Sequence, residues 1–67
     1  MEIFVNDQAK HIADNSTLYQ IIDQLQMENT KGIAVAVNDL VIPRTAWSKH
    51  LVKHGDNILL IKATQGG

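Results

Sequence analysis

The chain has 67 residues, enough for one small domain and close to the lower limit for folding without a disulfide or metal staple. Hydrophobic residues make up 45% of it and proline occurs once, which argues against disorder; the absence of cysteine excludes disulfides, thiolate nucleophiles and sulfur-ligated metals. Six basic against seven acidic side chains, interspersed along the chain, weigh against nucleic-acid binding as the main task.

Met1 to Asn6 alternates, with Met1, Ile3 and Val5 on one face and Glu2, Phe4 and Asn6 on the other, the period of a half-buried strand. No basic region followed by an apolar one opens the chain, so no signal peptide is expected. Purely apolar runs stop at four or five residues, far short of a bilayer span. Together with the missing cysteines this fits a cytoplasmic protein. Asn6-Asp7-Gln8 has turn chemistry, and Lys10 to Ala13 is expected to return as a second strand with Ile12 facing inward.

Asp14-Asn15-Ser16-Thr17 announces a helix. Thr17 and Gln20 have the spacing of a capping box, and Leu18, Ile21, Ile22 and Leu25 form one apolar stripe. Gln20, Asp23, Gln24 and Gln26 fall on the wet side. The helix should fade between Met27 and Asn29, with Gly32 supplying permissive backbone before the next strand.

Ile33 to Val37 is a strand that sends Val35 and Val37 into the core and leaves Ala34 and Ala36 on the other face. Asn38-Asp39 is a turn. Leu40 to Ile42 is a short strand that lies at a sheet edge or ends at Pro43, which cannot donate to a ladder. Thr45 to Lys53 is less regular, a single helical turn carrying Trp47 and Leu51 toward the core. Gly55-Asp56-Asn57 turns the chain again. Ile58 to Ile61 is apolar at every position, so either both faces of this strand are covered or one is an exposed apolar surface.

The chain then runs Lys62-Ala63-Thr64-Gln65-Gly66-Gly67. Two terminal glycines make the slimmest and most pliable backbone available, and they lose the most entropy on ordering. Such an end adds nothing to a fold, but it can thread a channel and deliver its carboxylate to another protein's active site. Extended, the five residues past Lys62 reach about 16 Å. The bland alternative is a frayed, inert terminus. One helix with a single stripe suits one face of one sheet, giving an α+β roll over residues 1–67 with 63–67 as a flexible tail.

This element order, with Met-Glu-Ile-Phe-Val at the start and Gly66-Gly67 at the end, resembles the ubiquitin-like β-grasp fold: a mixed sheet of four to five strands packed on one main helix. Val37-Asn38, Val41-Ile42-Pro43-Arg44 with Trp47, His50-Leu51 and Gly55-Asp56 before Ile58 narrow the match. Over nearly the whole chain these segments resemble the sulfur carrier protein family of thiamine thiazole biosynthesis. The resemblance implies a protein co-substrate with no catalytic residue, metal or bound cofactor of its own. An adenylating enzyme using ATP and magnesium would convert the Gly67 carboxylate to an acyl-adenylate. A persulfide sulfur donor would replace AMP, leaving a thiocarboxylate, and a thiazole synthase would receive the sulfur. Thr64, Gln65 and Gly66 would occupy the partner's active site. Three rivals stay open: a ubiquitin-like modifier conjugated to lysines, a carrier for another pathway such as molybdopterin synthesis, and a binding module indifferent to its terminus.

Phe4, Leu59 and Ile61 share the sheet face opposite the helix if Ile3, Val5, Ile58 and Leu60 fill the core. A β-grasp sheet makes the first and last strands neighbours, which would gather the three into a partner docking patch near the tail. The alternative is that the 45–53 segment covers them. His50 and His54, spaced i, i+4, could share a helical face, but no Glu stands at position 51 and no cysteine can complete a site. Ser16, Thr17 and Ser48 lack a base and orienter, so a catalytic triad is not expected. Trp47 reads best as a core plug. Arg44 either meets an acidic partner or ties down a loop.

Overall fold

The computed structural model describes residues 1–25 and 32–62. Strands β1 (Glu2–Val5) and β2 (Gln8–His11) form an antiparallel hairpin. Asn6 and Asp7 between them have φ of 50° and 68°. This left-handed pair makes the tight two-residue turn that Asn and Asp tolerate. Such a short turn starts β2 two residues earlier than expected, at Gln8 rather than Lys10. Ile12 consequently falls just past the strand, where it still packs, half-buried, on the core. The N-terminal ammonium donates to the Ile12 carbonyl at 2.7 Å and lies 3.0 Å from the Asp14 carboxylate, pinning the start of the chain.

Helix α1 (Leu18–Gln24) begins on the expected capping box. The Thr17 hydroxyl accepts from the Gln20 N–H at 3.2 Å, and the Gln20 side-chain oxygen accepts from the Thr17 N–H at 2.8 Å. Two donors that a helix start leaves orphaned are thereby satisfied, worth about 1 kcal/mol. Leu18, Ile21 and Ile22 are buried, Leu25 is half-buried, and Gln20, Asp23 and Gln24 face solvent. The regular turns end at Gln24, with the Leu25 N–H returning to the Ile21 carbonyl. The expected fade at 27–29, and Gln26, lie outside the described residues. Gly32 enters the next strand with φ of 76°, the left-handed backbone anticipated for it.

Strand β3 (Ile33–Val37) joins β4 (Leu40–Val41) through Asn38 and Asp39, whose φ of 50° and 70° repeat the first turn. The chain ends its described part in β5 (Asn57–Lys62). The sheet order is β2-β1-β5-β3-β4: β1 and β5 run parallel at the centre, and β3 lies antiparallel to both β5 and β4. Of the two outcomes Pro43 allowed, both hold: β4 is an edge, and it stops at Val41, before Ile42 and Pro43. Ile3 and Val5 of β1, Val35 and Val37 of β3 and Ile58 of β5 meet the stripe of α1 to form the core. Fully burying one such side chain is worth about 2–3 kcal/mol.

The 45–53 segment closes the side of this core, after a single 3-10 turn at Arg44–Ala46. Trp47 is the core plug expected of it: it is buried, and its indole N–H donates to the Ile42 carbonyl at 3.0 Å. The Arg44 guanidinium lies 5.9 Å from the centre of the Trp47 ring. Leu51 departs from expectation. It is 55% exposed, and Val52 takes the core position instead. Residues 50–52 are extended rather than helical: Leu18 donates to the His50 carbonyl at 2.8 Å, Val52 to the Ser16 carbonyl at 3.0 Å, and Thr17 bridges Leu51. Alternation along that short pairing turns Leu51 out and Val52 in. Among the described residues no helix is long and apolar enough to cross a membrane.

Candidate functional site

β5 decides between the two readings left open for its all-apolar run. Ile58 is fully buried and Leu60 half-buried on the helix side, whereas Leu59 and Ile61 are 48% and 46% exposed on the other. One face of the strand is core; the other is open apolar surface. The 45–53 segment does not cover it, because its backbone bonds run to α1, where Tyr19 donates to the Trp47 carbonyl at 3.0 Å.

Phe4 shares the outer face and is 37% exposed. The register sets it opposite Asn57, one diagonal step from Leu59. β1 has ended before the level of Ile61, which lies about 13 Å along β5 from Asn57. The three side chains therefore form a diagonal band rather than a tight cluster. Its lateral continuation is on the other side of β5. Ala34 stands opposite Ile61, Ala36 opposite Leu59, and Val41 opposite Ala36. Val41 is exposed, but Ala36 is buried: its small Cβ lies between larger neighbours on adjacent strands, Leu59 and Val41. Exposed apolar area on this face thus extends toward β3 and β4. The alternation of alanine with valine from Ala34 to Val37 was the signal for it, since small side chains there leave the neighbouring Leu59 and Ile61 proud of the surface.

β5 hands directly on to the terminal residues. Thr64, Gln65, Gly66 and Gly67 lie outside the described residues, so the expected tail at 63–67 is placed only by its attachment to Lys62. The histidines do not share a helical face. His50 lies beside Leu18 in an extended segment, and His54 sits in a turn where its Nδ1 accepts from the Glu2 N–H at 3.1 Å. Among the described residues no three His, Asp or Glu side chains gather as metal ligands. Ser16 is buried with its hydroxyl donating to the Ala13 carbonyl at 2.6 Å, and Thr17 is committed to its cap. A concavity of about 480 Å³ lies between α1 and the 3-10 turn, lined by Tyr19, Asp23, Arg44 and Trp47 among others. It belongs to the helix side of the molecule, away from β5's outer face.

The model of the ThiS family matches residues 1–67. The sulfur carrier protein ThiS of Escherichia coli K12 is 39% identical over 67 residues, covering all of both chains. A crystal structure of a thiamine biosynthesis protein, ThiS, from Geobacter metallireducens superimposes with a TM-score of 0.88 over the whole of both chains at 23% identity. A solution structure of a thiamine biosynthesis protein from the same organism gives 0.80, covering this chain fully and 88% of the other at 23% identity. These two structures establish the ubiquitin-like β-grasp fold.

Proposed function

The chain belongs to the ThiS family, and we propose that it serves thiamine biosynthesis as a sulfur carrier whose Gly67 carboxylate is the loaded group. The observation that carries this reading is the juxtaposition at β5. A strand with one face in the core and one apolar face open to solvent leads, five residues on, to Gly66-Gly67.

The chemistry starts from the weakness of a carboxylate as an electrophile: it is anionic and has no good leaving group. A partner enzyme using ATP and magnesium joins it to AMP and releases pyrophosphate, so that AMP becomes the leaving group. The terminal sulfur of a persulfide donor then attacks the acyl carbon and AMP departs. A thiol must next cleave the remaining S–S link to release the thiocarboxylate. That group is a soft nucleophile at neutral pH, suited to passing sulfur to a thiazole synthase. The chain supplies no catalytic group to these steps and acts as a co-substrate of its partners in the cytoplasm.

What the chain does supply is presentation. Thr64, Gln65 and Gly66 enter the partner's active site, where the missing Cβ of glycine lets the backbone pass a narrow channel. Phe4, Leu59 and Ile61, with Val41 extending their face, dock the partner and fix the direction of the tail, which a free tail alone would not do.

Complementation tests the reading. In a bacterial strain lacking its own thiazole-pathway sulfur carrier, this chain restores growth without added thiazole, and a version without Gly67 does not. Equal growth with the truncated version would sink the role of the terminus. Failure of the intact chain, expressed and folded, would assign the carrier to another pathway.

A further inference from the structure

β5 is longer than the strand beside it, and the difference leaves an edge. β1 pairs with it only at Phe4↔Asn57 and Val5↔Ile58, then turns away through the left-handed Asn6 and Asp7. β5 continues to Lys62, with β3 along its other side throughout, Ile61 opposite Ala34 and Lys62 opposite Ile33. Successive residues of β5 aim their backbone groups at opposite neighbours. The Asn57 carbonyl accepts from Asn38 at 2.8 Å on the β3 side, and the Ile58 carbonyl accepts from the Asn6 N–H at 2.9 Å on the β1 side.

By that parity Leu60 and Lys62 face the β1 side. The Leu60 N–H is met there by the side-chain carbonyl of Asn6 at 2.9 Å, which replaces the main-chain carbonyl that the turn has carried away. Beyond this bond the register places no β1 residue opposite Leu60 or Lys62, so the Leu60 carbonyl and the N–H and carbonyl of Lys62 face the side that β1 has left. Backbone groups repeating every second residue, about 7 Å apart, match another extended backbone and little else.

We propose that this edge, from Leu60 to Lys62, receives an extended strand from the enzyme that activates the carboxylate, adding it to the sheet beyond the Asn6-Asp7 turn. Chain length selects the occupant. Lys62 is separated from the Gly67 carboxylate by five residues, a reach of about 16 Å. An enzyme that holds Gly67 in its active site therefore has its own surface alongside Leu60 and Lys62. Pairing there sets the heading and register of the tail before it enters the site, and the incoming strand's outward side chains pack beside Leu59 and Ile61. The inference rests on the reading of Gly67 as the activated group.

Two measurements on the whole chain with the adenylating enzyme decide it. Hydrogen–deuterium exchange at the Lys62 amide slows at least about tenfold in the saturated complex, as a newly bonded edge amide should. A synthetic chain with the Lys62 amide replaced by an ester, which deletes the N–H on the open side and weakens the Ile61 carbonyl only toward β3, raises KM about five- to tenfold through the loss of one hydrogen bond to the enzyme. In that chain the Ile61 amide, which faces β3, stays protected and shows the sheet intact. Unchanged exchange at Lys62 in the saturated complex, or an unchanged KM for the ester chain, overturns the pairing. Protection that grows with the carrier's own concentration, without enzyme, overturns it in favour of a second copy. Pyrophosphate exchange in the same samples keeps the two ideas apart. Adenylation without Lys62 protection ends the pairing but not the role of Gly67, whereas protection without adenylation ends the role and keeps the pairing.

Discussion

The two faces of β5 have nearly the same composition and opposite fates. Ile58 and Leu60 turn toward α1 and are drawn into the core, while Leu59 and Ile61 are left half in water. Hydrophobicity alone does not separate them; parity and the position of α1 do. Among the described residues α1 covers only one side of the sheet, so the all-apolar strand at its centre has one face open. The lesson is that the helix side carries stability and the outer side is free to carry recognition.

That division can be attacked from both sides. Ile58→Ala removes a fully buried side chain at the centre of the sheet and should cost about 3 kcal/mol, read as a Tm lowered by roughly 10–20 °C. The double change Leu59→Ser with Ile61→Ser should alter stability by under about 1 kcal/mol. It should nevertheless raise KM with the adenylating enzyme about 10- to 100-fold, as the loss of two interface anchors does. A double variant that melts like Ile58→Ala while loading normally would reverse the assignment of the faces. Thr17→Ala breaks the capping box and should cost about 1 kcal/mol in denaturant unfolding, with KM unchanged for folded protein. The smallest effect is expected at Leu51. Because the extended 50–52 pairing turns it outward, Leu51→Thr should fall within about 0.5 kcal/mol of the parent, whereas Val52→Ala should cost about 1–2 kcal/mol.

The contrast also explains how far the sequence could be read. Local chemistry was legible where a residue's role depends on near neighbours. Thr17 and Gln20 spell a capping box, Asn38-Asp39 spells a turn, and Pro43 marks the edge or the end of a strand, as found. For β5 the exposed reading was favoured by placing Leu59 and Ile61 beside Phe4 on the face opposite the helix. Its all-apolar run left two readings open in itself, because burial depends on what lies across the sheet. Leu51 was misplaced for the same reason. A helical turn and an extended pairing offer similar apolar spacing over so few residues, and the deciding bonds to Ser16 and Leu18 come from more than thirty positions away. β2 was set two residues late because the tightness of the Asn6-Asp7 turn, a matter of φ, is not written in its polarity. At the outer face, Phe4, Leu59 and Ile61 were found from parity. Val41 and the opening beside Leu60 and Lys62 required the register.

The central claim is that Gly67 is a reagent and the rest of the chain presents it. Incubation with the adenylating enzyme, ATP and a persulfide donor, followed by mass spectrometry of the C-terminal peptide, tests that claim most directly. Localisation matters because oxidation at Met1 or Met27 gives nearly the same nominal mass change. The account predicts one oxygen exchanged for one sulfur on the peptide ending in Gly67, and none when an extra residue follows Gly67. Equal sulfur incorporation in the extended chain, or a C-terminal peptide unchanged while the enzyme turns over its own carrier, would contradict it.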